Sequence, residues 1–186
     1  MKVTIIVEGD EDVRFLQDLI KQVFEIECVE KDFIKVLGNT SALEHVLEDI
    51  KKAIAFGSRP IAILDADGDY KKTVSSFSSW TKEKGLDIAL FLFPSNHDSG
   101  NLETLLQQLI PENYRPLETC IDQYIDCVNK TGLTPPLDDK SKFFIYSQGA
   151  KGKDRQYLNE QWDFSSLALE PLVSFLKPYF EEAVEQ

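Results

Sequence analysis

Three aspartates follow a short apolar segment in the first half of the chain. Ile61 to Leu64 is continuously apolar, and Asp65, Asp67 and Asp69 come directly after it at every second position. Carboxylates this close together repel one another unless a cation lies between them, and Mg²⁺ prefers carboxylate and water oxygens as ligands. The stretch therefore predicts a magnesium site. The alternative is an acidic turn in which aspartate and glycine serve only the turn.

Other acids follow other apolar segments. Val3 to Val7 leads into Glu8, Asp12 comes four residues later, and the apolar run 88–93 leads through a loop to Glu103. Short apolar runs of this kind are typical of strands in a parallel sheet, whose carboxyl ends share one edge. We therefore expect Glu8 to meet Asp65 and Asp67 in one crevice, with Asp12 in the helical turn above it. Glu103 falls near a helix start, where the helix dipole favours a carboxylate even without a metal.

The elements that must position these acids alternate along the chain. Strands are predicted at 3–7, 33–37, 61–64 and 88–93, with helices in the segments between them. This alternation predicts an α/β fold with a mostly parallel central sheet flanked by helices. Residues 1–110 are expected to form that core. Residues 111–186 are expected to form a helical elaboration on the same domain, with an added edge strand at 142–146 and a closing helix at 167–180.

Composition narrows the functional classes. The 186-residue chain has a net charge of −12, which argues against broad, sequence-independent binding to nucleic acid or anionic membranes. A phosphate substrate is still compatible, because acidic clusters filled with Mg²⁺ handle phosphates. The three scattered cysteines predict reduced, mostly buried thiols rather than disulfides or a zinc site. Without a signal peptide or a membrane-spanning run, the chain is expected to be soluble and cytoplasmic.

The strand-end acids resemble a known domain. Val7-Glu8-Gly9 at the end of one strand and Asp65-x-Asp67 at the end of a later one look like the Toprim domain of topoisomerases, primases and nucleases. The run EGDED at 8–12 is similar to the signature of OLD-type nucleases. The segment GNLE at 100–103, and the carboxyl-terminal run that begins at Lys151, resemble a family of small uncharacterised Toprim-like bacterial proteins. The resemblance implies a Toprim-like, Rossmann-type fold.

The resemblance also implies a function, that of a nuclease acting on DNA or RNA phosphodiesters. Glu8 would be a metal ligand or general acid/base, and Asp65 and Asp67 would hold Mg²⁺ or Mn²⁺. Asp12 and Glu103 would help to bind a second ion. Lys151 would neutralise charge on the phosphoryl group, unless it is an ordinary surface lysine. Toprim nucleases are usually joined to another domain such as an ATPase, so a separately encoded ATPase or other partner protein is expected here.

Two other functions fit the same residues. One is a non-catalytic or regulatory module that binds a metal or a partner protein. The other is a small-molecule phosphatase of the haloacid-dehalogenase type, which places its D-x-D on the first strand, whereas here the first strand ends in Glu8. Of the neighbouring residues, Asp69 is predicted to cap the following helix, and His97 to be a loop histidine rather than a phosphate ligand.

Overall fold

A four-stranded parallel sheet forms the centre of the computed structural model, which describes residues 2–36, 42–149 and 162–181. The strands are β1 (Lys2–Val7), β2 (Phe33–Lys35), β3 (Ser58–Asp65) and β4 (Ala89–Phe93). They lie in the order β2-β1-β3-β4, and each neighbouring pair is parallel. The α/β class and the parallel sheet predicted from the sequence are confirmed, and the arrangement is Rossmann-like.

Helices connect the strands and continue the chain beyond them. In the described residues they are α1 (Asp10–Phe24), α2 (Leu43–Ala55), α3 (Tyr70–Lys84), α4 (Leu102–Gln108), α5 (Arg115–Thr131), α6 (Asp139–Gly149) and α7 (Glu170–Phe180). None of the helices in these parts of the chain is both long and apolar enough to cross a membrane.

Side chains of the sheet alternate between two helical layers. On one face Ile6 and Leu64 belong to a buried cluster that includes residues of α2 and α3. On the other face Phe93 packs against Phe15 of α1, and Phe91 packs against Phe175 of α7. The strands are apolar on both faces because both faces are covered. The charged residues of the strands, Lys2, Lys35, Arg59 and Asp65, accordingly lie at or near strand ends.

The chain forms two compact units, one of residues 1–102 with 169–186 and one of residues 103–168. The first unit holds the sheet with α1, α2, α3 and α7. In the second unit α5 and α6 pack together around a buried cluster that contains Ile110, Ile121 and Tyr146. Lys142 of α6 pairs with two acids of α5, Glu118 and Asp122, at 3.2 and 2.8 Å.

Three details differ from the sequence predictions. Residues 142–146 belong to α6 and not to an edge strand, because packing of Tyr146 against Tyr114 and Trp162 overrides the β-propensity of the segment. β3 begins at Ser58, before the predicted start, where the Ser58 and Thr4 hydroxyls share a buried hydrogen bond of 2.6 Å. The thiols are not mostly buried, since Cys120 and Cys127 are both exposed.

Asn96 closes the outer edge of β4, an edge strand of the sheet. Its backbone N–H donates to the Leu92 carbonyl at 2.7 Å, and its side-chain Oδ1 accepts the Leu92 N–H at 3.1 Å. Asn96 thus supplies the acceptor and donor that a further strand would supply. Its φ of 66° lies in the left-handed region, which asparagine tolerates better than most residues.

We expect Asn96→Ala to lower the free energy of unfolding by about 1–3 kcal/mol, because the Leu92 N–H loses its acceptor and alanine disfavours the left-handed backbone. Asn96→Gly removes the same hydrogen bond but keeps the backbone conformation accessible, so it should lose less. Urea unfolding of the two variants measures the difference. Wild-type stability in both would show that Asn96 does not stabilise the edge.

Candidate functional site

Glu8 and Asp65 are in contact at the carboxyl edge of the sheet, through the Glu8 carboxylate and the Asp65 backbone. β1 and β3 are neighbours, and their register pairs Ile6 with Ala62, which carries Glu8 to the end of β3. There Glu8 Oε1 accepts the backbone N–H of Asp65 at 3.2 Å. This contact fixes one acidic side chain directly beside the strand end that bears the other.

Asp65 is buried, with 9% of the residue exposed. Its Oδ1 accepts the backbone N–H of Leu102, the first residue of α4, at 3.0 Å. A backbone N–H at a helix start is a favourable donor to a carboxylate, because the group is unpaired within the helix and the helix dipole is positive there. The hydrogen bond offsets part of the cost of burying the charge.

Asp12 is also buried, with 8% exposed, in the first turn of α1. Its Oδ2 accepts the backbone N–H of Gly9 at 2.8 Å, which places the Asp12 carboxylate against the residue that follows Glu8. A carboxylate at this position caps the helix start. A continuous series of contacts therefore runs from Asp12 through Gly9 and Glu8 to Asp65.

The acidic side chains of residues 8–12 have two kinds of partner. Asp10 pairs with Lys35 at 2.9 Å, and Glu11 pairs with Arg14 at 2.6 Å. The hydrogen bond from Lys35 and its positive charge lower the pKa of Asp10. Asp10 and Glu11 thus form surface ion pairs, whereas the first and last residues of the run, Glu8 and Asp12, accept backbone N–H groups.

The two later aspartates have different environments. Asp67 is exposed and has a left-handed φ of 52°. Its backbone exchanges two hydrogen bonds of 2.8 Å with Gly100, whose φ of 143° favours glycine. Asp69 caps α3, as the sequence predicts, with Oδ1 accepting the Lys72 N–H at 3.0 Å.

The other residues considered from the sequence are Glu103, Lys151 and His97. Glu103 is the second residue of α4 and belongs to the second unit. Its role as a metal ligand therefore stays a prediction. Lys151 lies outside the described residues. His97 is exposed, with Nδ1 2.9 Å from the Ser95 carbonyl oxygen and Nε2 3.1 Å from Asp98 Oδ2, contacts typical of a loop histidine.

Sequence reasoning gave no role to Lys35 or to the Leu102 N–H. The signal for Lys35 was a single charge inside the apolar segment FIKVL, which placed that charge at the end of β2. A sequence pattern of side chains cannot identify a backbone donor such as the Leu102 N–H. Whether this N–H reaches Asp65 depends on how the chain after β4 returns towards β3.

A family model matches residues 2–181, which is nearly the whole sequence, and its description is "Protein of unknown function (DUF3226)". The chain belongs to the DUF3226 family. No curated protein and no solved structure matches the sequence. The description of the DUF3226 family names no activity, so the function of this chain is inferred from its site residues.

The structure of this DUF3226 chain groups few candidate metal ligands among its described residues. Within the described ranges no three His, Cys, Asp or Glu side chains form a group that could hold a metal ion. Mg²⁺ is usually bound by one or two carboxylates, and waters and substrate phosphates complete its octahedral shell. Glu8 and Asp65 provide hard oxygen donors of the kind that Mg²⁺ prefers. The predicted binding of metal by Asp12, Asp67 and Glu103 stays a prediction.

The contact between Glu8 and Asp65 gives a test of the DUF3226 site in the absence of metal. In Glu8→Gln the amide oxygen can still accept the Asp65 N–H, so we expect stability close to that of the wild type. In Glu8→Ala the N–H loses this acceptor, so we expect the free energy of unfolding to be about 1–3 kcal/mol lower than in Glu8→Gln. Urea unfolding in EDTA measures both values.

The matched control is Glu48, an exposed residue of α2 that pairs with Lys51 at 2.9 Å. Its Gln and Ala variants should differ by no more than about 0.5 kcal/mol, because exposed ion pairs contribute little. Equal stability of Glu8→Ala and Glu8→Gln would show that the contact at the strand ends does not stabilise the site.

Proposed function

We propose that this protein is a metal-dependent phosphoryl-transfer enzyme, a nuclease that hydrolyses DNA or RNA phosphodiesters. The observation that carries the proposal is the 3.2 Å hydrogen bond between the Asp65 N–H and Glu8 Oε1. It joins the acids of two neighbouring strands at the carboxyl edge, which is where open α/β sheets bind their ligands. The resemblance of these strand ends to the Toprim domain supports the same function.

The acids would have separate roles in this reaction. Asp65 and Glu8 would hold Mg²⁺ or Mn²⁺, and Asp12, Asp67 and Glu103 are the further candidates if two ions bind. When bound, the metal would stabilise negative charge on the oxygens around phosphorus. Glu8 is also the proposed general acid/base, because the Asp65 N–H fixes its carboxylate at the edge of the sheet. Lys151 is proposed to neutralise charge on the phosphoryl group.

The burial of two acids favours a cation at this edge. Asp12 and Asp65 are each more than nine-tenths buried, and removing a carboxylate from water is costly. An asparagine could accept the same backbone N–H groups without that cost. A divalent cation bound at this edge would offset part of the cost of burying the two charges.

The proposal also includes a partner protein and a cytoplasmic location. A net charge of −12 disfavours unaided binding to long nucleic acids, so we propose that a separately encoded ATPase or other partner protein delivers the substrate. The free thiols of Cys28, Cys120 and Cys127 fit the reducing cytoplasm.

A non-catalytic module that binds a metal or a partner is the second candidate. The observation in its favour is that Glu8, Asp12 and Asp65 each accept a backbone N–H, which is a structural use of a carboxylate. In this alternative the same edge would bind a cation without hydrolysing a phosphodiester.

The decisive experiment measures cleavage of single-stranded DNA, RNA and plasmid with Mn²⁺ or Mg²⁺. We expect cleavage by the wild type that is abolished by EDTA. Glu8→Gln should lower the rate by about 10²–10⁴-fold, the usual contribution of general acid/base catalysis. Asp65→Asn should remove activity and Mn²⁺ binding, as measured by calorimetry, while its amide oxygen can still accept the Leu102 N–H.

Asp69→Asn is the matched control, because asparagine caps a helix as well as aspartate does and the substitution removes one charge from the same stretch. Its activity should equal that of the wild type. Cleavage that survives in Asp65→Asn would disprove the nuclease. Mn²⁺ binding without cleavage would support the non-catalytic module, and hydrolysis restricted to 4-nitrophenyl phosphate would support a phosphatase.

A further inference from the structure

Two adjacent lysines lie near the start of the helix that follows the strand-end aspartates. Lys71 and Lys72 are the second and third residues of α3, after the cap Asp69 and the first helical residue Tyr70. Both residues are exposed. β3 ends at Asp65, so a segment of only four residues separates the proposed site from α3. The first turn of α3, which carries both lysines, therefore follows the carboxyl end of β3 within a few residues.

The position of these lysines opposes the electrostatics of the helix. The amino end of a helix carries partial positive charge, which favours acids and disfavours cations. In the same protein α1, α2, α4, α5 and α7 each have an acid in the first turn. The first turn of α3 has no acid and has Lys71 and Lys72 instead.

The two charges form no ion pairs within the described part of the chain. Among the residues that the structure describes, neither Lys71 nor Lys72 forms a salt bridge, although the chain has 32 acids and 20 basic residues. Other lysines at comparable surface positions, such as Lys51 and Lys52 of α2, pair with acids of their own helix. Asp69 contacts the backbone N–H of Lys72. Positive charge in a locally unfavourable place is thus left available to an anion.

We propose that Lys71 and Lys72 bind phosphates of a nucleic-acid strand next to the phosphodiester held at Glu8 and Asp65. This inference rests on the proposed function and narrows its substrate class. A small phosphate ester has no neighbouring phosphates to place there, whereas a polynucleotide presents them on both sides of the reacting bond. The lysines supply local attraction in a chain whose overall charge repels polyanions.

The test compares a double variant, Lys71→Gln with Lys72→Gln, with the single variant Lys82→Gln. Lys82 is also exposed, belongs to the last turn of α3 and forms no salt bridge with the described residues, but lies about 15 Å further along the helix axis. Binding of fluorescently labelled oligothymidylate is measured by anisotropy over a salt series. Ca²⁺ replaces Mn²⁺ in this assay so that affinity is measured without cleavage.

We expect the double variant to bind on the order of tenfold more weakly at low salt. The slope of log affinity against log salt should become shallower by about 1.4, the value for two lost phosphate contacts on a single strand. Lys82→Gln should keep the wild-type affinity and slope. Circular dichroism melting checks that the double variant is folded, and a merely structural role of the lysines would not change the salt slope.

The outcomes separate this inference from the proposed function. Binding that depends on Lys71 and Lys72, together with a wild type that never cleaves, would support the nucleic-acid contact and refute the nuclease. An unchanged slope in the double variant, an equal loss in Lys82→Gln, or a wild type that does not bind oligothymidylate would overturn the inference, even if cleavage of another phosphate ester is observed.

Discussion

The candidate site depends on the hydrogen bond that the Asp65 N–H donates to Glu8. The bond exists because β1 and β3 are parallel neighbours, so that consecutive strand ends reach one edge at nearly the same level. Helices cover both faces of the sheet, which leaves the strands mainly apolar. The acids of the candidate site are found at the last residue of β3 and directly after β1. The fold thus restricts acids to an edge and brings them together there.

Much of the fold could be predicted because its local signals agree with its tertiary packing. The helix predicted between the strands at 61–64 and 88–93 is α3, whose start Asp69 caps as predicted and whose end is set by Gly85 in the left-handed region. The prediction of a strand at 142–146 was wrong for the opposite reason. Aromatic and β-branched residues favour strands in isolation, but the partners of Tyr146 lie on a neighbouring helix and in a distant segment. Such partners are not visible in a local pattern.

The sequence predicted which acids lie at the strand ends, but it did not predict all of the contacts around them. Apolar runs followed by acids placed Glu8 and Asp65 at one edge, and the spacing of four residues placed Asp12 in the first turn of α1. The sequence could not show that Lys35 of β2 would reach Asp10, or that Asp67 would bond its backbone to Gly100. Those contacts depend on strand order and on the return of a loop. Both are properties of the tertiary structure.

The structural and the metal-binding interpretations of these carboxylates are compatible at the level of single atoms. A carboxylate has two oxygens and about four acceptor positions, so one backbone N–H does not exhaust it. The hydrogen bonds to Glu8, Asp12 and Asp65 would hold the side chains in place before a cation arrives, which reduces the conformational entropy lost on binding. An amide could provide the same structural contacts. An acid adds negative charge, which a divalent cation bound at this edge would neutralise.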